Sequence, residues 1–302
     1  MVGAGAAITA NAGYQYSLNY ARERPQGRLP SNKDPLAKPV SIIEHADVRR
    51  MLLAQKAYAE GAMALVLYGT QLMDDEKTAA KAEDREKAHV LLDFLTPIIK
   101  TWPSEYGPKA NDLAIQVLGG AGYINEHPVE MFYRDNRLNP IHEGTTGIQS
   151  LDLLARKVPM NKMAGYQATL AKMDVTILQA RAHDDLVVYA DELEAALNTL
   201  RQTTLTLLSA MESEHIDRVL ANSVKYLEIF GHTVIAWLWL KQGIVAAKAL
   251  AEAPHESDQH FYQGKLQALQ YFYRYELPLV PVWAQLLINL DSTCYDMQDS
   301  WF

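Results

Sequence analysis

Three short stretches hold the residues best suited to chemistry. Gln116-Val-Leu-Gly-Gly-Ala-Gly-Tyr123 is glycine-rich, Tyr133-Arg-Asp-Asn-Arg137 is charged, and Ile141-His-Glu-Gly-Thr-Thr-Gly-Ile-Gln149 carries a single carboxylate, Glu143. Glu143 follows an apolar residue by two positions and precedes a glycine, just ahead of a segment able to form a helix. An acid in an apolar setting holds its proton more tightly and can serve as a general base near neutral pH. The Gly119-Gly120-x-Gly122 turn, about twenty residues upstream, lets backbone N–H groups approach a phosphate or a flat ligand.

Each piece also has a plainer role. A glutamate at a helix start complements the helix dipole. Gly119-Gly120 is a helix C-terminal stop, which is compatible with ligand binding. Thr145 or Thr146 caps the helix that follows. Arg134, Asp135 and Arg137 read as loop-fixing ion pairs. Two Glu-x-x-His pairs, Glu86/His89 and Glu212/His215, have the spacing of carboxylate-bridged di-metal bundles. Both lie in strongly polar stretches, so solvated helix faces are expected and no metal ligand is assigned. Trp237, Trp239, Tyr271, Phe272 and Tyr273 are expected in packing.

The elements that position these residues read almost entirely as helix. Val2–Arg24 ends at the stop Pro25-Gln-Gly-Arg-Leu-Pro30. Ser41–Asp74 runs without proline, with Ser41 and Glu44 as a capping box and apolar positions near a 3.6 period. A charged connector covers Asp74–Glu86. Helix resumes at Lys87–Lys100, is expected to break around Trp102-Pro103, and continues through Leu118. Ile148–Arg156 is a short helix, and Lys157–Gly165, with Pro159, is a linker. Three further stretches follow: Gln167–Thr206, Leu207–Ala251, and Ser257–Leu290, the last interrupted at Pro278 and Pro281. No alternating pattern suggests a sheet. The expectation is an all-α fold: an antiparallel helical bundle over 1–160, then a second helical bundle over 161–302.

The 302 residues are 49% hydrophobic, enough for sizeable cores. A net charge of −8 disfavours non-specific nucleic-acid or acidic-membrane binding. One cysteine, Cys294, excludes an internal disulfide and fits a reducing compartment. The apolar run near Thr233–Leu240 is read as too short for a span, and no basic residue precedes Arg22 as a signal peptide would require. A soluble cytoplasmic protein is expected.

In order and spacing, the three stretches resemble the C-terminal signature of the flavin-dependent acyl-CoA dehydrogenases. The resemblance implies that Glu143 removes the α-proton of an acyl-CoA thioester while the β-hydrogen leaves as hydride to FAD. The Glu143 backbone N–H would help hold the thioester carbonyl in a dry site. It implies FAD contacts at Gln116, Gly119 and Gly120 with the cofactor of a neighbouring subunit, and at Thr145 near the pyrophosphate or ribityl chain. Gly147 replaces a glutamine of some relatives that reaches the adenine. Tyr20-Ala-Arg-Glu-Arg-Pro-Gln26 resembles a helix end whose arginine and glutamine bind FAD phosphates across a dimer, here Arg24 and Gln26. The Phe-Gly that often follows is reduced to Gly27. His142, where relatives often carry tyrosine, and Gly144 fall to the substrate side.

Residues beyond about 165 resemble the additional helical domain of large members such as those similar to 3-methylmercaptopropionyl-CoA dehydrogenase, through Tyr226–Gly231, Ala236–Leu240 and Phe261–Leu266. The family's N-terminal helical and middle β-domains have no counterpart in these residues. The resemblance therefore implies a homo-oligomer or a complex with an N-terminal acyl-CoA dehydrogenase half, and an electron-transfer flavoprotein as acceptor. The alternative is a non-catalytic helical oligomerisation or scaffold module.

Overall fold

The computed structural model describes residues 2–302. Among them the helices are α1 Val2–Glu23, α2 Ala46–Thr78, α3 Ala82–Leu118, α4 Val129–Asn136, α5 Thr146–Leu151, α6 Met160–Ala180, α7 Val187–Ser213, α8 Ile216–Leu220, α9 Ser223–Ala251, α10 Glu256–Tyr271, α11 Leu279–Ile288 and α12 Thr293–Asp296. The all-α expectation holds, since the β pairing among the described residues is an isolated bridge, Pro25 with Ser41. The fold is a helical bundle followed by a second helical bundle. By packing, the chain up to Val66 groups with Lys100–Glu143, and Leu67–Ile99 groups with Gly144–Phe302.

In the first unit, α1 buries Ala6, Ala10, Gly13, Ser17 and Ala21, at steps of three and four residues. These small side chains let polar groups of α3 and α4 come close. Gly13 lies under the Asn111 amide, and Gly107 lies under Asn136 and the Ala6 carbonyl. At the other end of α1, Ala21 joins Ile42, Met51, Leu52, Val117, Leu118 and Val129 in an apolar cluster. Trp102 stacks on Tyr106 at 4.4 Å, with Tyr58 edge-on to both.

In the second unit, α9 is apolar on every side, and all residues from Ile229 to Leu240 are buried. Helices α6, α7, α10 and α11 surround it. Its aromatic neighbours keep their polar ends bonded: Trp237 Nε1 donates to Thr176 at 2.7 Å, and Tyr273 donates to the Ala236 carbonyl at 2.9 Å. Phe94 meets Phe230 edge-on at 5.3 Å, and Tyr68 meets Trp237 at 5.2 Å. Lys157, buried, is paired with Asp93. By length and composition alone α9 is long and apolar enough to cross a membrane, a test that a buried core helix also passes. More than half of its most apolar window is buried inside the unit.

Several sequence expectations change in detail. No break occurs at Trp102-Pro103, because α3 continues through Pro97, Pro103 and Pro108, all buried. A mid-helix proline costs about 3 kcal/mol, and the packing of the Trp102–Tyr106–Tyr58 stack offsets it. The capping box does not form: Ser41 makes no side-chain cap bond, and one tight turn, Ile42–Glu44, precedes α2. Gln167–Thr206 divides at the Ala182–Asp185 turn into α6 and α7.

The expected linker at Lys157–Gly165 is instead helical backbone of unusual form. Asp152–Lys157 is a widened π turn closed by Val158 N–H to Leu153 O at 2.9 Å, and Phe272–Glu276 is a second, closed by Leu277 N–H to Phe272 O at 2.9 Å. A proline follows each closing residue, Pro159 and Pro278. Proline lacks the N–H of a normal helical bond and its ring clashes with the carbonyl four residues back, which a wider turn relieves. After Pro159, Asn161, Lys162 and Met163 hold left-handed dihedrals, φ 50°, 56° and 66°, so right-handed α6 begins beyond them.

Two stability outcomes follow. Gly107→Ala places a methyl 2.7 Å from Asn136 Nδ2 and 3.0 Å from the Ala6 carbonyl, and urea unfolding is expected to show a loss of about 1–3 kcal/mol. Burial pushes the Tyr14 and Tyr68 phenols up from 10.0 to about 12. A raised folded-state value favours the protonated folded form, so this stability is complete below pH 10 and is lost as pH rises toward 12. Tyr14→Phe and Tyr68→Phe are each expected to flatten the fall in urea midpoint between pH 9 and 11.

Candidate functional site

The residues singled out in the first unit lie at two levels of α3, its C-terminal end and its middle near Lys100. The C-terminal end carries Gln116, exposed on the last turns, and then the tight turn Gly119–Tyr123. Gly119 has φ +60°, a conformation costly for other residues, and neither Gly119 nor Gly120 has an atom within 4 Å of where a Cβ would stand. The backbone there is open. Close by, through the Ala21–Ile42–Leu118 cluster, lies the segment after α1. Gln26 N–H donates to Val40 O at 2.8 Å, Val40 N–H to Gly27 O at 3.1 Å, and Ile42 N–H to Arg24 O at 2.8 Å. His45 Nε2–H donates to the Gln26 carbonyl at 2.8 Å. This pairing fixes the backbone of Arg24 and Gln26 and leaves both side chains exposed. Sequence reading missed the roles of Val40, Ile42 and His45, whose only signal was the proline-rich stop between them and α1.

The middle of α3, at Lys100, is tied to the turn that carries Glu143. Gln116 is sixteen positions beyond Lys100 on α3, about 24 Å at 1.5 Å per residue. Here a buried polar chain crosses the unit. Asn111 Nδ2 donates to the Thr9 carbonyl at 3.0 Å, and Asn136 Nδ2 to Asn111 Oδ1 at 2.7 Å and the Ala6 carbonyl at 3.2 Å. Asn139 Nδ2 donates to Asn136 Oδ1 at 2.8 Å, and His142 Nε2–H to Asn139 Oδ1 at 3.3 Å. Lys100 Nζ donates to the Asn139 carbonyl at 3.0 Å. Burial holds the Lys100 ammonium below the ordinary lysine range, with the Glu105 and Glu143 carboxylates pulling the other way. None of Lys100, Asn111, Asn136 or Asn139 was singled out in the sequence, since isolated asparagines on helices carry no spacing signal.

Glu143 itself takes φ +50°, and Gly144 takes φ +86°. A non-glycine residue in the left-handed region is uncommon and concentrates at functional sites. Its expected apolar shelter is not present in this chain: Glu143 is exposed, and Leu138 and Ile141 are 55% and 54% exposed. The turn after α4 presents these apolar side chains outward, so the shelter the sequence suggested does not close over the acid. In the second unit, Thr145 is the cap of α5, accepting from Ile148 N–H at 3.4 Å, which decides between Thr145 and Thr146. Of the two Glu-x-x-His pairs, His89 bonds Glu76 at 2.8 Å, and both histidines are exposed. Among the described residues no group of three potential metal ligands comes together.

Comparison with known proteins shows the family of the chain. Residues 1–158 match the family model described as acyl-CoA dehydrogenase, C-terminal domain, and residues 164–298 match that described as acetyl-CoA dehydrogenase C-terminal like. The chain belongs to the acyl-CoA dehydrogenase family. It is 31% identical to the broad-specificity linear acyl-CoA dehydrogenase FadE5 of Mycobacterium tuberculosis, over 100% of this chain and 51% of that one. It is 32% identical to 3-methylmercaptopropionyl-CoA dehydrogenase of Ruegeria pomeroyi, over 90% and 45%. In fold it is similar to Caenorhabditis elegans ACDH-11 in complex with C11-CoA, at TM-score 0.72 and 16% identity over 99% of this chain and 46% of that one. A Bacillus anthracis acyl-CoA dehydrogenase complexed with FAD gives TM-score 0.70 and 18% identity, over 97% and 49%. The chain spans about half the length of the relatives it matches.

Asn136→Ala leaves Asn111 Oδ1 and Asn139 Nδ2 without their partner in a buried setting, and a stability loss of about 2–4 kcal/mol is expected. Hydrogen exchange should show faster amides across 138–143, with the 119–123 turn unchanged.

Proposed function

We propose that this chain is the C-terminal part of a flavin-dependent acyl-CoA dehydrogenase, with domains over 1–160 and 161–302. The observation that carries this is the left-handed Glu143, held by a buried polar chain at the edge of a unit of this family. The Glu143 carboxylate takes the α-proton of an acyl-CoA thioester, and the C–H electron pair becomes the new double bond. Its backbone N–H donates to the thioester carbonyl, favouring charge that builds on that oxygen. Gly144 keeps the approach open, and His142 borders the acyl group.

FAD fits the residues present, since Gly119 and Gly120 offer an unfilled backbone cradle beside an exposed amide, Gln116. Arg24 and Gln26 would hold its phosphates, Gln116, Gly119 and Gly120 its adenosine diphosphate portion, and Thr145 the chain nearer the ring. When bound, FAD supplies the acceptor for the hydride leaving the β-carbon. The separation of about 24 Å between Lys100 and Gln116 along α3 supports assigning the two regions to different cofactor copies in a homo-oligomer. Residues outside this chain, in an N-terminal acyl-CoA dehydrogenase half, cover Glu143 and complete the acyl tunnel, with an electron-transfer flavoprotein as final acceptor.

Mixing the chain with such an N-terminal half, FAD and acyl-CoA should give dye reduction that Glu143→Gln lowers by about 10²–10⁴-fold. Undiminished turnover in Glu143→Gln would remove the assigned base. Flavin uptake absent from every mixture would instead favour the scaffold reading, which the exposure of Glu143 in this chain also allows.

A further inference from the structure

We propose that Lys100 is a positioning residue for Glu143: from within α3 its buried ammonium anchors the turn that carries the carboxylate and holds a positive charge beside it. This rests on the assignment of Glu143 as the base. Lysine is rarely buried, and Lys100, only 9% exposed, spends one N–H on the Asn139 carbonyl at 3.0 Å. That carbonyl is four residues ahead of Glu143 in the chain. Within the turn, Ile141 and His142 N–H groups both donate to Leu138 O, at 2.9 and 3.3 Å. The turn is therefore closed on itself, tied to α1 and α3 through Asn136, and tied a second time to α3 through Lys100. A left-handed glutamate persists only where its surroundings over-determine it, and Lys100 supplies one of the two attachments.

The charge has a separate use. Covering a carboxylate drives it toward the protonated form, which cannot act as a base, and a fixed cation nearby favours the ionised form. The charged groups acting on Lys100 are the carboxylates of Glu105, on the same helix, and Glu143, at the end of the turn. Glu105 lies five residues along α3 and is half-buried. Only the Glu143 partner belongs to the proposed site, so Lys100 acts on the acid by charge and on the turn that carries it by its hydrogen bond to the Asn139 carbonyl.

Two measurements on the full chain test this. In ¹⁵N-lysine spectra, the Lys100 ammonium should titrate at lower pH in Glu143→Gln than in the wild type. Glu143 is exposed, so that variant is expected to fold. In Lys100→Met, amide exchange across 141–144 should accelerate by tenfold or more, and Lys100→Arg should recover most of the protection. An unchanged Nζ midpoint in Glu143→Gln overturns the charge coupling. Wild-type exchange in a folded Lys100→Met overturns the anchoring, and either result removes the proposal. Should Lys100→Met fail to fold, Lys100→Arg and the Nζ titration still decide it. Dye reduction by Glu143→Gln reports on the base alone, so a failure there is distinguishable from a failure here.

Discussion

The run of buried Asn111 and Asn136 and half-buried Asn139, with Lys100 beside it, is the constraint on which the Glu143 turn depends. Two adjacent left-handed residues would relax in a free surface loop, since the conformation costs a non-glycine residue about 1–2 kcal/mol. Each buried hydrogen bond contributes about 1 kcal/mol net, and an unmade one costs more. Four such bonds, two from the asparagines to α1 carbonyls and two among the asparagines, therefore outweigh the strain. Their room comes from residues without side chains: Gly13 and Gly107 lie where a methyl would displace the Asn111 and Asn136 amides. Small residues on α1, a polar seam beneath them and a strained acid at the end of the seam form one causal sequence.

The first unit accordingly has two working regions, one at the C-terminal end of α3 and one beside its middle. Its apolar cluster of Ala21, Ile42, Val117 and Leu118 steadies the glycine turn and the Arg24–Gln26 segment, while the polar seam steadies Glu143. The two devices share α1 and α3 but none of their stabilising contacts. In the proposed enzyme this permits the phosphate-facing region and the proton-abstracting region to serve different cofactor copies without competing for space. The second unit is built differently, around one helix buried along most of its length, with ring groups such as Trp237 Nε1 and the Tyr273 hydroxyl bonded within its core.

Much of this was legible in the residues. Long apolar periodicity identified the helices, and Gly119-Gly120 was read as the helix stop at which Gly119 takes positive φ. What could not be read has physical causes. Proline content argued for a break at Pro103, but burial of three prolines in α3 overrode local propensity. The Pro159 segment looked like a linker because no pattern distinguishes a π turn from a loop. The asparagine seam joins Thr9, Asn111 and Asn136 across more than a hundred positions, so no local spacing announces it. Local sequence also suggested a dry acid, whereas dryness depends on what lies over Leu138 and Ile141.

The most direct measurement is the fate of the substrate's α-hydrogen. Wild-type chain, assembled with an N-terminal half and FAD, should incorporate deuterium from D₂O at the α-carbon of an acyl-CoA, because the Glu143 carboxyl exchanges its proton with solvent. Glu143→Gln should abolish that incorporation while flavin remains bound. Incorporation persisting at the wild-type rate in Glu143→Gln would contradict the assignment of this carboxylate as the base.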